Sequence, residues 1–232
     1  MKLIALFFLS IMALAAIDPD VVRHPAPREP KYISAKFYDV LKNQVAEPPL
    51  KGSLAQAADE RTLFELQASR KPSDCSRAKD EVKVSLDSFF RAPVGPLAPE
   101  ITRPLTPLFE QIRNDGDYFV QKLKRDFPRQ RPFQYLKGIH PCVPHEVTES
   151  YPSGHAVLSS LFARVLTDLY PHQRAALEAR SKQIGDDRVL VGMHHPSDVE
   201  TGRKLGDLIY AQLNLSTQFQ NDLKSATPPP LP

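Results

Sequence analysis

The chain has 232 residues, of which 41% are hydrophobic and 25% charged, enough for one sizeable core and unlike a fibre or a wholly disordered chain. Its formal net charge of +3, one unit of which is Lys2, is too weak to point to nucleic acid, and no basic run interleaved with aromatics is present. Met1-Lys2 and the apolar run Leu3 to Ala16 read as a secretory leader over residues 1–16, with Ala13-Leu14-Ala15 supplying the small residues before the cut. The run is shorter than the roughly 20 residues that span a bilayer. The expectation is a periplasmic or secreted protein with no integral membrane segment after cleavage. In an oxidising compartment Cys75 and Cys142 can form one disulfide; their spacing is not that of a redox or zinc motif, and two free thiols remain open.

Residues 17–52 read as an extended N-terminal arm, because the prolines at 19, 25, 27 and 30 exclude regular helix. A short amphipathic piece around Tyr38 to Leu41 is broken by Pro48-Pro49. A helical domain is expected over 53–218. It opens with a helix from Leu54 to Arg70. A short helix follows over Glu81 to Arg91, packing Phe89 and Phe90, then a loop from Ala92 to Pro99. Leu105, Leu108, Phe109, Ile112, Phe119, Val120 and Leu123 share one helical face that carries Lys124 at its end, and Pro128 and Pro132 stop that helix. Residues 133–150 show no period and read as a long surface loop near the site. From Ser153 a wide apolar stripe through Leu169 marks a central helix. Pro171 opens a helix to about Val191, and Pro196 starts a last one through Leu213. Residues 219–232 are assigned to a C-terminal tail, whose proline-rich end from Thr227 to Pro232 reads as disordered. No period-two alternation and no repeat is visible. The fold class is all-α: a single-domain helical bundle around a buried central helix.

The chemistry concentrates in Asp187 to Asp198, which spaces Arg188, His194 and Asp198 so that an anion receptor, a nucleophile and its orienting group can meet. Imidazole accepts a phosphoryl group when one ring nitrogen is bare and a carboxylate takes the proton of the other. Asp198 lies one helical turn past His194 if the segment is helical. At the start of the central helix, Ser153-Gly154-His155 would aim backbone N–H groups and the positive helix end at an anion. Lys124, Arg131 and Arg188 can neutralise phosphoryl oxygens. His155 then suits proton donation to a departing alkoxide. The seven histidines carry no H-E-x-x-H motif and adjacent His194 and His195 cannot easily face one ion, so neither metal nor other cofactor is expected.

Lys124 with Arg131-Pro132, Tyr151-Pro-Ser-Gly-His155, and Arg188 with His194 and Asp198 reproduce in order the three-part signature of the phosphatidic-acid-phosphatase type 2 and vanadium haloperoxidase superfamily. The wording Gly192-Met-His-His-Pro-Ser-Asp-Val-Glu-Thr-Gly-Arg203 resembles the exported class A bacterial nonspecific acid phosphatases. The likeness runs from about Phe89 to Leu213. It implies hydrolysis of phosphate monoesters through a phosphohistidine: His194 as nucleophile, His155 as general acid and base, Asp198 fixing the tautomer. Lys124, Arg131, Ser153, Gly154 and Arg188 would bind phosphate. It also leaves homo-oligomers open. Two residues depart from the family pattern, Asp187 before the second arginine and Glu149 before the Ser-Tyr-Pro run. His195 is expected to point away from the nucleophile, in a structural or substrate-rim role. The alternatives are a vanadate-dependent haloperoxidase and a non-catalytic anion-binding helical protein.

Overall fold

The computed structural model describes residues 21–22, 25–89 and 99–226. The leader, Phe90-Arg91, nearly all of the 92–99 loop and the proline-rich end fall outside them. The fold is all-α. In chain order the helices are α1 (Phe37–Gln44), α2 (Leu54–Ser69), α3 (Pro72–Asp80), α4 (Pro99–Asp126), the short α5 (Pro132–Tyr135), α6 (Gly154–Leu169), α7 (Arg174–Leu190), α8 (Pro196–Asn214) and α9 (Thr217–Ser225). Among the described residues strand is limited to β1 (Val21–Val22) and β2 (His145–Glu146), paired in parallel with Val22 opposite Glu146.

α6 is the centre. Twelve of its sixteen residues are buried, which a helix attains only when neighbours cover it on several sides. α7, α8 and α4 are those neighbours. Two glycines one turn apart set the α6–α8 distance. A methyl on Gly202 would lie 2.6 Å from the Ser153 carbonyl oxygen and 2.8 Å from the Ala156 Cβ; one on Gly206 would lie 2.7 Å from the Ser160 Cβ. Only the missing side chains let the two backbones approach so closely, and the contact falls at the N-terminal ends of both helices.

α4 carries the expected apolar stripe but starts earlier than that stripe, at Pro99, and contains Pro104 and Pro107. Both prolines face solvent, where the carbonyls left without a partner can bind water. The arm wraps the bundle. Asp115 of α4, fully buried, accepts from the backbone N–H groups of Lys31 (2.9 Å) and Tyr32 (2.8 Å), and Tyr32, Ile33, Tyr38 and Leu41 enter the main core. At the other end α9 forms within the stretch assigned to the tail: Ser216 caps it, and Phe219 is fully buried, edge-on to Tyr32.

Cys75 and Cys142 are bonded, tying α3 to the loop before β2. Closing a loop of 67 residues contributes on the order of 4 kcal/mol on the chain-entropy account. The 133–150 stretch is less of a surface loop than its sequence suggests, because Ile139, Val143, Glu146 and Ser150 are buried.

Gly202→Ala should lower unfolding free energy by about 1–3 kcal/mol, as overpacking of a tight interface does. Urea unfolding checks this, and an unchanged midpoint would show that α6 and α8 can separate without loss.

Candidate active site

The close approach of α6 and α8 brings two helix N-termini together, and a backbone bond joins them: the Ser153 N–H donates to the Asp198 carbonyl at 3.0 Å. The Ser153 hydroxyl accepts from the Ala156 N–H at 3.4 Å and so caps α6. An anion at this end would be met by the N–H groups of Gly154 and His155.

His194 precedes α8. His195 is the N-cap, and its backbone N–H donates to Asp198 Oδ2 at 2.8 Å. The carboxylate is therefore turned back by helix capping, not by the helical spacing of 194 and 198. Asp198 is fully buried and shared. Ser150 Oγ donates to Oδ2 at 2.6 Å, Arg129 Nη1 donates to Oδ1 at 2.5 Å, and His195 Nδ1 lies 3.0 Å from Oδ2. His194 Nδ1 is 3.5 Å from that same Oδ2 and 3.4 Å from Ser150 Oγ. So His195 shares the Asp198 carboxylate with His194, and being fully buried it takes the structural of its two expected positions and not the rim one. Its Nε2 lies 2.9 Å from the Tyr135 hydroxyl. Burial would raise the Asp198 pKa, but bonds from His194 and His195 and the charge of Arg129 hold it well below the carboxylate range.

The tautomer of His194 follows from its partners. Nε2 lies 3.2 Å from Arg131 Nη1; a guanidinium only donates, so Nε2 holds a bare lone pair and Nδ1 carries the proton. Burial, reinforced by Arg131, lowers the pKa of this ring to about 3.

Arg131 is the N-cap of α5 and fully buried. Its fork reaches the carbonyls of Thr148 (2.7 Å) and Met193 (3.0 Å) and the Glu146 carboxylate (2.7 Å). Arg188, also fully buried near the end of α7, lies 3.4 Å from Glu146 through Nη2; its Nε and Nη1 have no hydrogen-bond partner among the described residues. Lys124, in the last turn of α4, donates to the Glu149 carbonyl, and burial, then Arg131, lowers its pKa to about 7. His155 Nε2 lies 3.1 and 3.2 Å from the carbonyls of Glu81 and Val82, which can only accept, so that nitrogen carries a proton; Nδ1 faces Glu146 at 3.7 Å. Arg180 of α7 fixes that anchor by binding Glu81 at 2.6 Å and the carbonyls of Ser88 and Phe89.

Lys124, Arg131, Arg188, His155, His194, Asp198, Ser153 and Gly154 thus meet at one place. Among these side chains and Glu146, three cations face one carboxylate, since Asp198 is matched by Arg129. A cleft of about 50 Å³ opens onto the cluster past Lys124, Glu146, Gly154 and His155. A larger cleft of about 610 Å³, beside Lys42, Pro49 and Arg129, shares none of the cradle residues. The Asp187 carboxylate accepts from Arg77 of α3, which binds it through two nitrogens at 2.6 and 2.7 Å, and acts on Arg188 only through its charge. Glu149 contributes its carbonyl while its side chain is exposed.

Glu146, Arg129, Ser150, Asp59 and Tyr135 were not singled out in the sequence. Arg129 stands two residues before Arg131 and binds Asp59 at 2.8 Å as well as Asp198; a second arginine so near the first was the available signal. Glu146 is a lone acid in an aperiodic loop and gave none.

Residues 116–221 match the PAP2 superfamily. The non-specific acid phosphatase of Salmonella typhimurium is 26% identical over 227 residues, covering 94% of this chain and 88% of that protein. That of Providencia stuartii is 29% identical over 244 residues, covering 97% and 96%. The crystal structure of a transmembrane PAP2 type phosphatidylglycerolphosphate phosphatase from Bacillus subtilis matches with a TM-score of 0.54 at 20% identity, over 77% of this chain and 91% of that one, a likeness of fold. Among the described residues no helix is long and apolar enough to cross a membrane.

Removing Arg129 would strand two buried carboxylates, Asp59 and Asp198. Arg129→Ala should therefore destabilise the chain by about 3–5 kcal/mol, with Arg129→Lys in between because it keeps the charge and loses the fork. Denaturant titration of both variants checks this; equal stability of Arg129→Ala and the wild type would contradict it.

Proposed function

We propose, from the premise that this chain carries a PAP2 superfamily domain, that it is an exported acid phosphatase acting on phosphate monoesters through a phosphohistidine. One observation carries the reading: three buried cations surround a single carboxylate beside a neutral imidazole whose bare nitrogen faces the same cluster. Stabilising charge on the transferring group is the main demand of phosphoryl transfer, and Lys124, Arg131 and Arg188 supply it from side chains. On this reading the chemistry needs no metal, and turnover survives a chelator.

His194 Nε2 attacks phosphorus in line while the ester P–O bond breaks, and the departing alkoxide takes a proton from His155. Water then attacks the phosphohistidine, gives a proton back to His155, and the P–N bond breaks to return the lone pair to His194. Asp198, with Ser150 beside it, keeps the Nδ1 proton in place. The apolar leader and the disulfide support export.

His194→Ala should lower kcat on an aryl phosphate by on the order of 10³ or more, and Asp198→Asn should leave weak activity through the wrong tautomer. Quenching a burst with labelled substrate in alkaline denaturant, where the P–N bond of a phosphohistidine survives, should place the label on residue 194. Label at any other residue would end the mechanism.

The pH dependence follows from Lys124. Its pKa in the empty site is lowered to about 7, so the ammonium is charged below that pH and loses its charge above it. Affinity for an anion is full on the acid side and falls as pH rises through about 7. The alkaline limb of kcat/KM should move to higher pH in Lys124→Arg, because a guanidinium keeps its proton. An alkaline limb identical in both proteins would assign it elsewhere.

A further inference from the structure

Glu146 has no part in the proposed reaction, yet it stands inside the cradle. One carboxylate oxygen accepts from Arg131 Nη2 at 2.7 Å; the other lies 3.4 Å from Arg188 Nη2 and 3.7 Å from His155 Nδ1. Two oxygens thus span both arginines and the imidazole that would protonate the leaving group. The group is 7% exposed. Burial would raise its pKa, but Arg131, His155, Arg188 and His194 hold it well below the carboxylate range, and Lys124 interacts with it as well. It is an anion in the seat of another anion.

The seat is not filled by it. Arg188 Nε and Nη1 are buried with no partner among the described residues, donors that a carboxylate bound elsewhere does not meet and a four-oxygen anion can. A dianion entering beside an ionised carboxylate would meet direct repulsion in a poorly screened interior. The carboxylate also has a way out, because β2 lies at the surface: His145 and Val147 on either side of Glu146 are exposed.

We propose that Glu146 is the resident counter-ion of the cradle, exchanged for a tetrahedral oxyanion when one enters, and that it sets how tightly the site holds phosphate-like anions. In the resting site it neutralises guanidiniums that would otherwise be buried unpaired. During turnover it retakes the arginines as inorganic phosphate leaves, which weakens retention of the product. Its consequence for turnover rests on the phosphatase reading, whereas the exchange itself is a binding event.

Sulfate tests the exchange, since it is tetrahedral, is not turned over and keeps its charge over the working pH range. Calorimetric titration and thermal melts of the full chain should show Glu146→Gln binding sulfate about tenfold tighter than the wild type or better, with a larger gain in melting temperature. Glu146→Asp, which keeps the charge one methylene further back, should fall between. Inhibition by product phosphate should strengthen in the same order. If Glu146→Gln does not fold alone, refolding in sulfate but not in chloride of equal ionic strength carries the same meaning. Sulfate binding to Glu146→Gln no tighter than to the wild type, or no recovery by sulfate, would overturn the proposal. A wild type that binds sulfate but hydrolyses no aryl phosphate would instead sink the phosphatase reading and leave the exchange standing.

Discussion

Everything at the site hangs on Asp198. Its backbone carbonyl accepts from Ser153 and locks the N-terminus of α6 to that of α8. Its carboxylate collects Ser150, His195 and Arg129 and faces the proton-bearing nitrogen of His194. A carboxylate this deep is tolerable only if its lone pairs are fully engaged, and the structure engages them with groups from three segments, at 129, 150 and 194–195. The same bonds that keep the charge soluble inside the fold therefore set the relative positions of the two imidazoles. Gly202 and Gly206 serve that arrangement from behind, by letting α8 lie close enough for the carbonyl to reach.

Around this tie the buried charges are matched in pairs: Arg129 with Asp59 and Asp198, Arg180 with Glu81, Arg77 with Asp187. Burial, with Asp187 nearby, raises the pKa of Glu81 to about 7 against the pull of Arg180, which shows how marginal such a pair is. The cradle departs from the pattern. Among the described residues Lys124, Arg131 and Arg188 gather around Glu146, and two nitrogens of Arg188 have no acceptor. Glu81 Oε2, Arg129 Nε and Arg203 Nε each lack a partner among the described residues as well, but Arg188 has two such atoms and sits where cations outnumber carboxylates, which marks a place kept for a ligand.

The helices were legible because their apolar positions recur at helical spacing, and so was the meeting of Lys124, Arg131, His155 and Arg188, whose spacings follow a known signature. What stayed hidden has physical reasons. Pro104 and Pro107 lie inside a helix, and nothing in the sequence says that they face solvent there. Phe219 looks like a tail residue until Tyr32 of the arm, nearly the whole chain away, is seen beside it. Glu146 lies in a loop whose path is set by the Cys75–Cys142 bond and by pairing with Val22, constraints that no local pattern carries. The rings of His194 and His195 do lead to different partners, Arg131 and Tyr135, but that both also face Asp198 was not foreseen from adjacent positions. At a helix cap the cap residue's side chain and the N3 carboxylate turn toward each other.

Burial has opposite consequences for the two kinds of base in the cradle, and together they define when it can work. The His194 imidazole is neutral above about 3, the condition for a nucleophile, and Lys124 is charged below about 7, the condition for an anion receptor. Both shifts have burial as their first cause and Arg131 as their second, so one desolvated guanidinium pushes both bases the same way. On the proposed mechanism the empty site works between those limits, on the acid side of neutrality. An anion in the seat adds negative charge beside both groups and favours their protonated forms. Lys124 then holds its proton to higher pH, while His194 is drawn toward protonation only from a value far below the working range. Substrate thus extends the upper limit of the window without closing the lower one, and an acidic preference follows from depth of burial with no acidic residue having to titrate.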